Sequence, residues 1–533
     1  MNKQALKQLT KEGCIVGKDA AEKITEEDIE AIKSLDTTPM YISEAMLSNL
    51  RKKSPQPNGS QPNGSSEKPN GSEHASNGGV LVEKPVQEEE ESQSSDEKQE
   101  TNDVQENSDK SREKSGSKKV EIMDRGDRND LRTKVEVMDP QEIEREKKDV
   151  PEFLKYYNNR YEKMKKLLMR RKELQSATTL NRLERRNEGE DASAIGLVKD
   201  KYSTNSGKWI VELEDKTATF KALVDEREGE RIVQDEVIGV IGSMGGDIVY
   251  ANNVVRADLP IPQGVNTTEQ EVEAAYISDL HMGSKDTTHD KLDKFAEWLG
   301  SKDARKVGYL VITGDLVEGV GVYPGQEDEL EVTDIYNQYE LFENWVEKIP
   351  ERVQIIASPG NHDITRLEEP QPKLPKKVFP TIKDFNNFHR VQNPQMVRLH
   401  GIKSKGIKNL MYHGHSFDPH VDQIQDLREK AYEEPQHVMI DLLKRRHLAP
   451  TYGSNQMSPE KEDYLVIEEQ PDVFVSGHFH SHCNESYKGV NVINSSSFQG
   501  QTDFQKRVGH EPDPGKVTLV NFKNRNTRVK KFV

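Results

Sequence analysis

Short apolar runs punctuate the second half of the chain. Ala274-Ala275-Tyr276-Ile277, Tyr309-Leu310-Val311-Ile312, Val353-Gln354-Ile355-Ile356, Leu410-Met411-Tyr412 and Val473-Phe474-Val475 are too short for helices and rich in β-branched and aromatic residues. That is the pattern of strands buried on both faces. An earlier group comprises Ile195 to Val198, Trp209 to Leu213, Thr217 to Val224, Glu236 to Ile241 and Ile248 to Val255, with turn-forming Ser206-Gly207 and Gly245-Gly246-Asp247 between strands. Five strands in about sixty residues predict a small barrel. Before it, Leu154, Tyr157, Tyr161, Met164 and Leu168 recur at steps of three and four over 151–186, an amphipathic helix with Lys163, Lys165, Lys166, Arg170, Arg171 and Lys172 on its other face. Packing on a neighbouring domain and contact with a nucleic-acid backbone are both open to that face.

At the N-terminus, Thr25-Glu26-Glu27-Asp28 reads as a capping box ahead of Ile29, Ile32 and Leu35, and Ser43 can start a second helix carrying Met46, Leu47 and Leu50. From about Ser54 to Ser117, Pro-Asn-Gly-Ser repeats and a Glu/Gln/Ser-rich run lack the apolar surface needed to fold. The expected organisation is therefore a small helical N-terminal domain at 1–53, a disordered acidic linker at 54–118, a connecting basic helical region at 119–190, an OB-type barrel at 191–260, and an α/β unit at 270–533. The OB barrel's acidic run Asp225-Glu226-Arg227-Glu228 suits a protein-binding or structural role as well as nucleic-acid contact.

Composition changes this picture little. Only 32% of the 533 residues are hydrophobic and mean hydropathy is -0.88, which agrees with a substantial unfolded fraction. The net charge of -17 would argue against nucleic acid if taken globally, but the acid is concentrated in the linker. Cys14 and Cys483 make no metal or redox motif. With no leader-like or long apolar segment, a soluble, cytoplasmic protein is the expectation.

The chemistry follows the strand-like runs. Asp279-Leu280-His281, Gly314-Asp315, Gly360-Asn361-His362-Asp363, His413-Gly414 and Gly477-His478-Phe479-His480 each stand directly after one. Strand C-termini form the ligand crevice of α/β sheets, so these residues can converge. Carboxylate, imidazole and amide donors suit Mn, Fe or Zn and exclude a thiolate-bound metal. Two cations a few Å apart need a bridging carboxylate, and Asp315, after a glycine, is best placed. Such a pair clamps a phosphodiester for in-line displacement. Each motif alone is weak; all five in order point to a hydrolase.

An OB-like barrel followed by a calcineurin-like metallophosphoesterase β-sandwich flanked by helices is the architecture of polymerase B subunits. The chain resembles the small subunit of the archaeal family D DNA polymerase. Beyond the metal motifs, the resemblance is carried by Gly314 to Gln326, Arg445-Arg446-His447-Leu448-Ala449-Pro450-Thr451-Tyr452-Gly453, Gln501 to Lys506 and Pro514-Gly515-Lys516-Val517. It implies a 3'-to-5' exonuclease proofreading for a large catalytic subunit, with two divalent metal ions, Mn2+ foremost, and DNA, a sliding clamp or primase as further partners. By the family's pattern Asp279, His281, Asp315 and His480 hold one metal, and Asp315, Asn361, His413 and His478 the other. His362 then orients or protonates the leaving group, with Asp363 supporting it. Glu318 stands where the family often has a shorter acid, which alters a hydrogen bond without affecting either metal.

His415, His420 and His482 read as rim or outer residues of the site. Lys444, Arg445, Arg446 and His447 are candidate contacts for a DNA backbone, or cations completing a helix C-terminus. Lys506 and Arg507 carry the same two readings. A free-standing metallophosphoesterase acting on nucleotides and a non-catalytic replication scaffold are the alternatives; the scaffold would have damaged ligands.

Overall fold

The computed structural model describes residues 15–16, 25, 41–42, 131–141, 143, 150–402, 405–453 and 456–533. The chain divides into two units, Met1–Asp109 and Lys110–Val533. In the first, β1 (Ile15–Val16) and β2 (Tyr41–Ile42) pair in parallel; the expected N-terminal helices and the linker lie outside the described residues.

In the second unit the continuous apolar runs become strands buried along their length. β9 (Glu273–Ile277), β10 (Val307–Thr313), β11 (Gln354–Ser358) and β12 (Phe388–Arg390) form a parallel run, to which the C-terminal hairpin β18 (Lys516–Asn521) and β19 (Thr527–Lys531) adds antiparallel through β18. Every residue of β9 and β10 is buried. A second six-stranded sheet has the order β16 (Cys483–Tyr487), β17 (Val490–Asn494), β15 (Val473–Ser476), β14 (Ile407–Met411), β13 (Gln395–Leu399) and β3 (Val135–Val137).

The sheets face each other through one apolar layer, with Tyr276, Tyr309 and Val311 on one side and Val397, Met411, Val475 and Ile493 on the other. The outer face of the first sheet is covered by helices His289–Gly300 and Ile335–Val346, whose Phe295, Leu299 and Phe342 join its core. Helices Phe417–Gln423 and Gln436–Arg445 cover the second through Phe417, Val421 and Leu442. Four layers result, each sheet burying one face on helices and one on its partner.

β3 lies in the region expected to be a connector. It pairs antiparallel with β13, Val137 opposite Val397, so the barrel is inserted between one edge strand of this sandwich and the rest of it. Three residues were too few to read as a strand.

The barrel is closed, in the order β4 (Asp191–Ser203), β5 (Trp209–Glu214), β6 (Thr219–Val224), β8 (Ile248–Val255) and β7 (Val237–Met244). Helix Glu226–Arg231 stands between β6 and β7, and Asp225 caps it by accepting from the Glu228 N–H. The acidic run is thus in part a helix start.

The helix before the barrel ends at Leu168 and buries Tyr161, Met164 and Leu168 as the spacing predicts. Its buried face also takes in Tyr156, Arg160 and Leu167, whereas Leu154 is 63% exposed. Arg160 is a buried cation whose Nε donates to Asp463 at 2.6 Å and whose Nη1 donates to the Pro450 carbonyl at 2.5 Å. Lys163, on the basic face, pairs with Glu462 and Glu468. Among the described residues, no helix is long and apolar enough to cross a membrane.

Candidate metal centre

All five motif segments follow strands: Asp279 and His281 after β9, Asp315 after β10, Asn361 to Asp363 after β11, His413 after β14, and His478 and His480 after β15. The three parallel strands of one sheet and the parallel pair of the other deliver them to a common end of the sandwich.

The backbone turns sharply there. Asp279, His281, Asp315, His478 and His480 all have φ between 48° and 73°, a region that side chains with a Cβ seldom occupy. Glycines let the turns close on one another: a Cβ on Gly360 would stand 2.2 Å from Asp315 Oδ1, and one on Gly477 2.3 Å from Asp279 Oδ2.

Asp315 is the centre of the arrangement. Its Oδ2 is 3.2 Å from His413 Nε2 and 3.8 Å from His281 Nε2, and its Oδ1 accepts the His362 backbone N–H at 2.9 Å. On one side Asp279 Oδ1 is 3.4 Å from His480 Nε2, and His281 Nε2 faces His480 Nε2 at 3.1 Å. On the other side Asn361 Oδ1 is 2.9 Å from His413 Nε2. Three overlapping groups have one donor atom each within 4.8 Å of the others: Asp279, His281 and His480; His281, Asp315 and His362; and Asp279, Asp315 and His413. His478 stands beside His413, ring centroids 5.3 Å apart, and its Nε2 donates to Asp418 Oδ2 at 2.6 Å.

The donor set fits divalent cations. Asp279 is fully buried and Asp315 is 2% exposed, and buried carboxylates need a compensating charge. Burial raises both carboxyls, but the imidazoles outweigh it: His480 and His281 hold Asp279 low, and His413 and His362 hold Asp315 low. Burial lowers His413, yet the Asp315 carboxylate carries it up to about 9. His281 is also pushed up, against burial, by Glu318. Two imidazole nitrogens facing each other beside carboxylates form a cradle that a cation would satisfy better than protons do.

Several expectations change. Asp363 makes no hydrogen bond to the His362 ring. Its buried carboxylate accepts from the Leu316 and Gly360 N–H groups and from the Tyr339 hydroxyl, tying the Asp315 and Asn361 turns together, and burial with the Asp315 charge raises it to about 7. The anchor of His362 is the Glu318 carbonyl, which accepts from Nδ1 at 2.7 Å. Glu318 counts for more than its sequence position suggested, since its Oε2 also accepts from His281 Nδ1 at 2.8 Å; the longer acid reaches a candidate ligand directly. Its sequence signal was its place in the family-carrying stretch after Asp315, and Gln505, whose amide meets His480 Nδ1 at 3.0 Å, also lay in such a stretch; Asp418 gave none.

The proposed DNA contacts at 444–447 are corrected for three residues. Arg445 is 3% exposed, pairs with Asp441 at 2.6 Å and also with Glu236 on the barrel side. Arg446, 3% exposed, donates to the Ile467 and Glu468 carbonyls, and His447 donates to Asp463 at 2.9 Å. Side chains committed to these partners cannot meet a phosphate backbone. Lys444 packs its ammonium over the Tyr487 ring, 5.7 Å from the centroid. His420 is no part of the rim either, donating to Asp441 within the same buried network. His482 shares a hydrogen bond with the Thr518 hydroxyl, while His415 stays beside the site, 5.9 Å from the His478 ring.

The calcineurin-like phosphoesterase family matches residues 274–482, which span all five motifs. A DNA polymerase II small subunit from Archaeoglobus fulgidus is 39% identical over 386 residues, covering 70% of this chain and 75% of that protein. The chain belongs to the DNA polymerase II small-subunit family. Proteins of the same name from Methanothermobacter thermautotrophicus and Methanocaldococcus jannaschii are 37% and 39% identical over 70% of this chain, covering 78% and 64% of their own lengths. In this small subunit the phosphoesterase motifs and the geometry around Asp315 coincide, and its phosphoesterase domain implies divalent metals.

Proposed function

We propose that this small subunit carries a 3'-to-5' exonuclease that removes nucleotides from single-stranded or mismatched DNA ends, proofreading for a large catalytic subunit with which it forms the polymerase. The observation that carries the reading is Asp315, a buried carboxylate set between the His281 and His413 imidazoles. One cation would be held by Asp279, His281, Asp315 and His480 and the other by Asp315, Asn361, His413 and His478, with Mn2+ foremost and Fe or Zn accommodated by the same donors. Bound there, two divalent cations supply Lewis acidity to the phosphodiester and lower the pKa of a water.

The chain's own groups do the rest. His362, with Nδ1 committed to the Glu318 carbonyl, has Nε2 left to act, and in the imidazolium form that nitrogen gives its proton to the departing oxygen. Glu318 orients His281, and Asp363 keeps the two turns that carry Asp315 and Asn361 in register. The barrel's closed strand order, β4-β5-β6-β8-β7, supports an OB-type domain at 191–260, and the N-terminal module and linker would act as a tethered docking element toward the large subunit, a clamp or primase.

The test is degradation by the full chain, with Mn2+, of 5'-labelled single-stranded DNA and of a duplex with a 3'-end mismatch, beside Asp315→Ala. Stepwise shortening from the 3' end that vanishes in the variant is the expected result. No cleavage, either alone or with the large subunit added, would leave the scaffold reading in its place.

A further inference from the structure

We infer that Asp418 is a positioning residue for the second cation's ligand set, fixing the tautomer of His478 so that Nδ1 is the nitrogen offered to the metal. The inference rests on the two-cation reading above and goes beyond it to a residue outside the phosphoesterase motifs.

A neutral imidazole that donates from one nitrogen presents a lone pair at the other. His281, His362 and His413 each donate from Nδ1, to Glu318 Oε2 at 2.8 Å, to the Glu318 carbonyl at 2.7 Å and to the Thr313 carbonyl at 2.8 Å. Nε2 is therefore the nitrogen that His281 and His413 turn toward the other candidate ligands. His478 is reversed, with Nε2 donating to Asp418 Oδ2 at 2.6 Å, and a carboxylate in this position both orients an imidazole and makes it a stronger donor to a cation.

Asp418 is itself held in place. Its Oδ1 accepts from the Tyr432 hydroxyl at 2.8 Å, and the Tyr432 ring packs against Phe479, the neighbour of His478, at a centroid distance of 4.8 Å. Asp418 also sits on the helix Phe417–Gln423, a few residues beyond His413, so one short segment supplies a ligand directly and aligns another. The Glu318 side chain, which aligns His281, is 3% exposed, whereas the Asp418 side chain is 44% exposed. The second cation's set is thus secured from a solvent-reachable carboxylate and the first from a buried one.

The experiment is Mn2+ binding to the full chain by equilibrium dialysis with elemental analysis, for wild type, Asp418→Ala and Asp418→Asn, together with histidine side-chain 15N spectra of the metal-free proteins. Wild type should bind two cations. Asp418→Ala should weaken one of them by about 10–100-fold while leaving the other unchanged, and His478 should lose its Nε2–H tautomer preference. Asp418→Asn, nearly isosteric and still an acceptor, should keep the tautomer and lose less affinity, which separates alignment from general misfolding. Two cations of unaltered affinity in Asp418→Ala, or an Nδ1–H tautomer in wild type, would overturn the inference and leave the two-cation reading standing. A wild-type chain binding fewer than two would overturn both.

Discussion

The candidate ligands owe their positions to residues that never touch a substrate. Gly477 brings its turn so close to Asp279 that any side chain there collides with the carboxylate. Gly477→Ala should displace Asp279 and cost the first cation at least tenfold in affinity, readable by titration calorimetry, with little change in secondary structure by circular dichroism. His362 is the opposite case, bound through Nδ1 but carrying no expected metal. His362→Ala should retain both cations and lower kcat by about 10²–10⁴-fold; unchanged turnover would remove it from the mechanism. The motif residues were legible because each follows a strand-like run. The partners Glu318, Asp363 and Asp418 were misjudged or missed, since hydrogen bonds between sequence-distant turns leave no periodicity to read.

At the scale of elements, continuous apolar character identified the barrel strands and the five sandwich strands that carry the motifs but not the other sandwich strands, and the ends of β5 and β8 fall within a residue of expectation. The helix Val150–Leu168 shows where that logic stops. Spacing favoured Leu154 as an inside residue, yet it is exposed while Arg160 is buried against Asp463 and Tyr156, and pattern reading assigns an arginine to solvent. The ion pair has a measurable weight. Asp463→Ala leaves a buried guanidinium without its carboxylate and should destabilise this unit by about 3–5 kcal/mol in chemical denaturation. Burial raises the Asp463 carboxyl, but His447 and Arg160 outweigh it and hold it far below the usual range. A carboxyl whose folded pKa is depressed contributes stability above its unfolded value, about 3.9, and loses it as pH falls toward the folded one. Asp463→Asn should therefore flatten the acid limb of the stability profile below about pH 4.

For the molecule as a whole, the barrel and the sandwich are joined by buried charge. Arg445 of the sandwich pairs with Glu236 beside the barrel, and Glu236 also meets Arg256. Arg445 looked like part of a basic strip at 444–447 because sequence shows charge but not its partner. Cations held by the Asp315 ligand set would stabilise the native state by mass action, about 2.7 kcal/mol at a hundredfold excess over Kd. Removing them with EDTA should lower the thermal midpoint of wild type, and the shift should be lost in Asp315→Ala.

The pairing of Val137 with Val397 also orders events in time. Emerging from the ribosome, β3 precedes the barrel, while the strand it must join follows most of the first sheet. The barrel can close on its own local pairings, but β3 waits unpaired until β13 arrives, and open strand edges invite pairing with other chains. A fragment cut to begin at residue 270 would make that interval permanent, keeping every candidate metal ligand yet leaving β13 open to self-association.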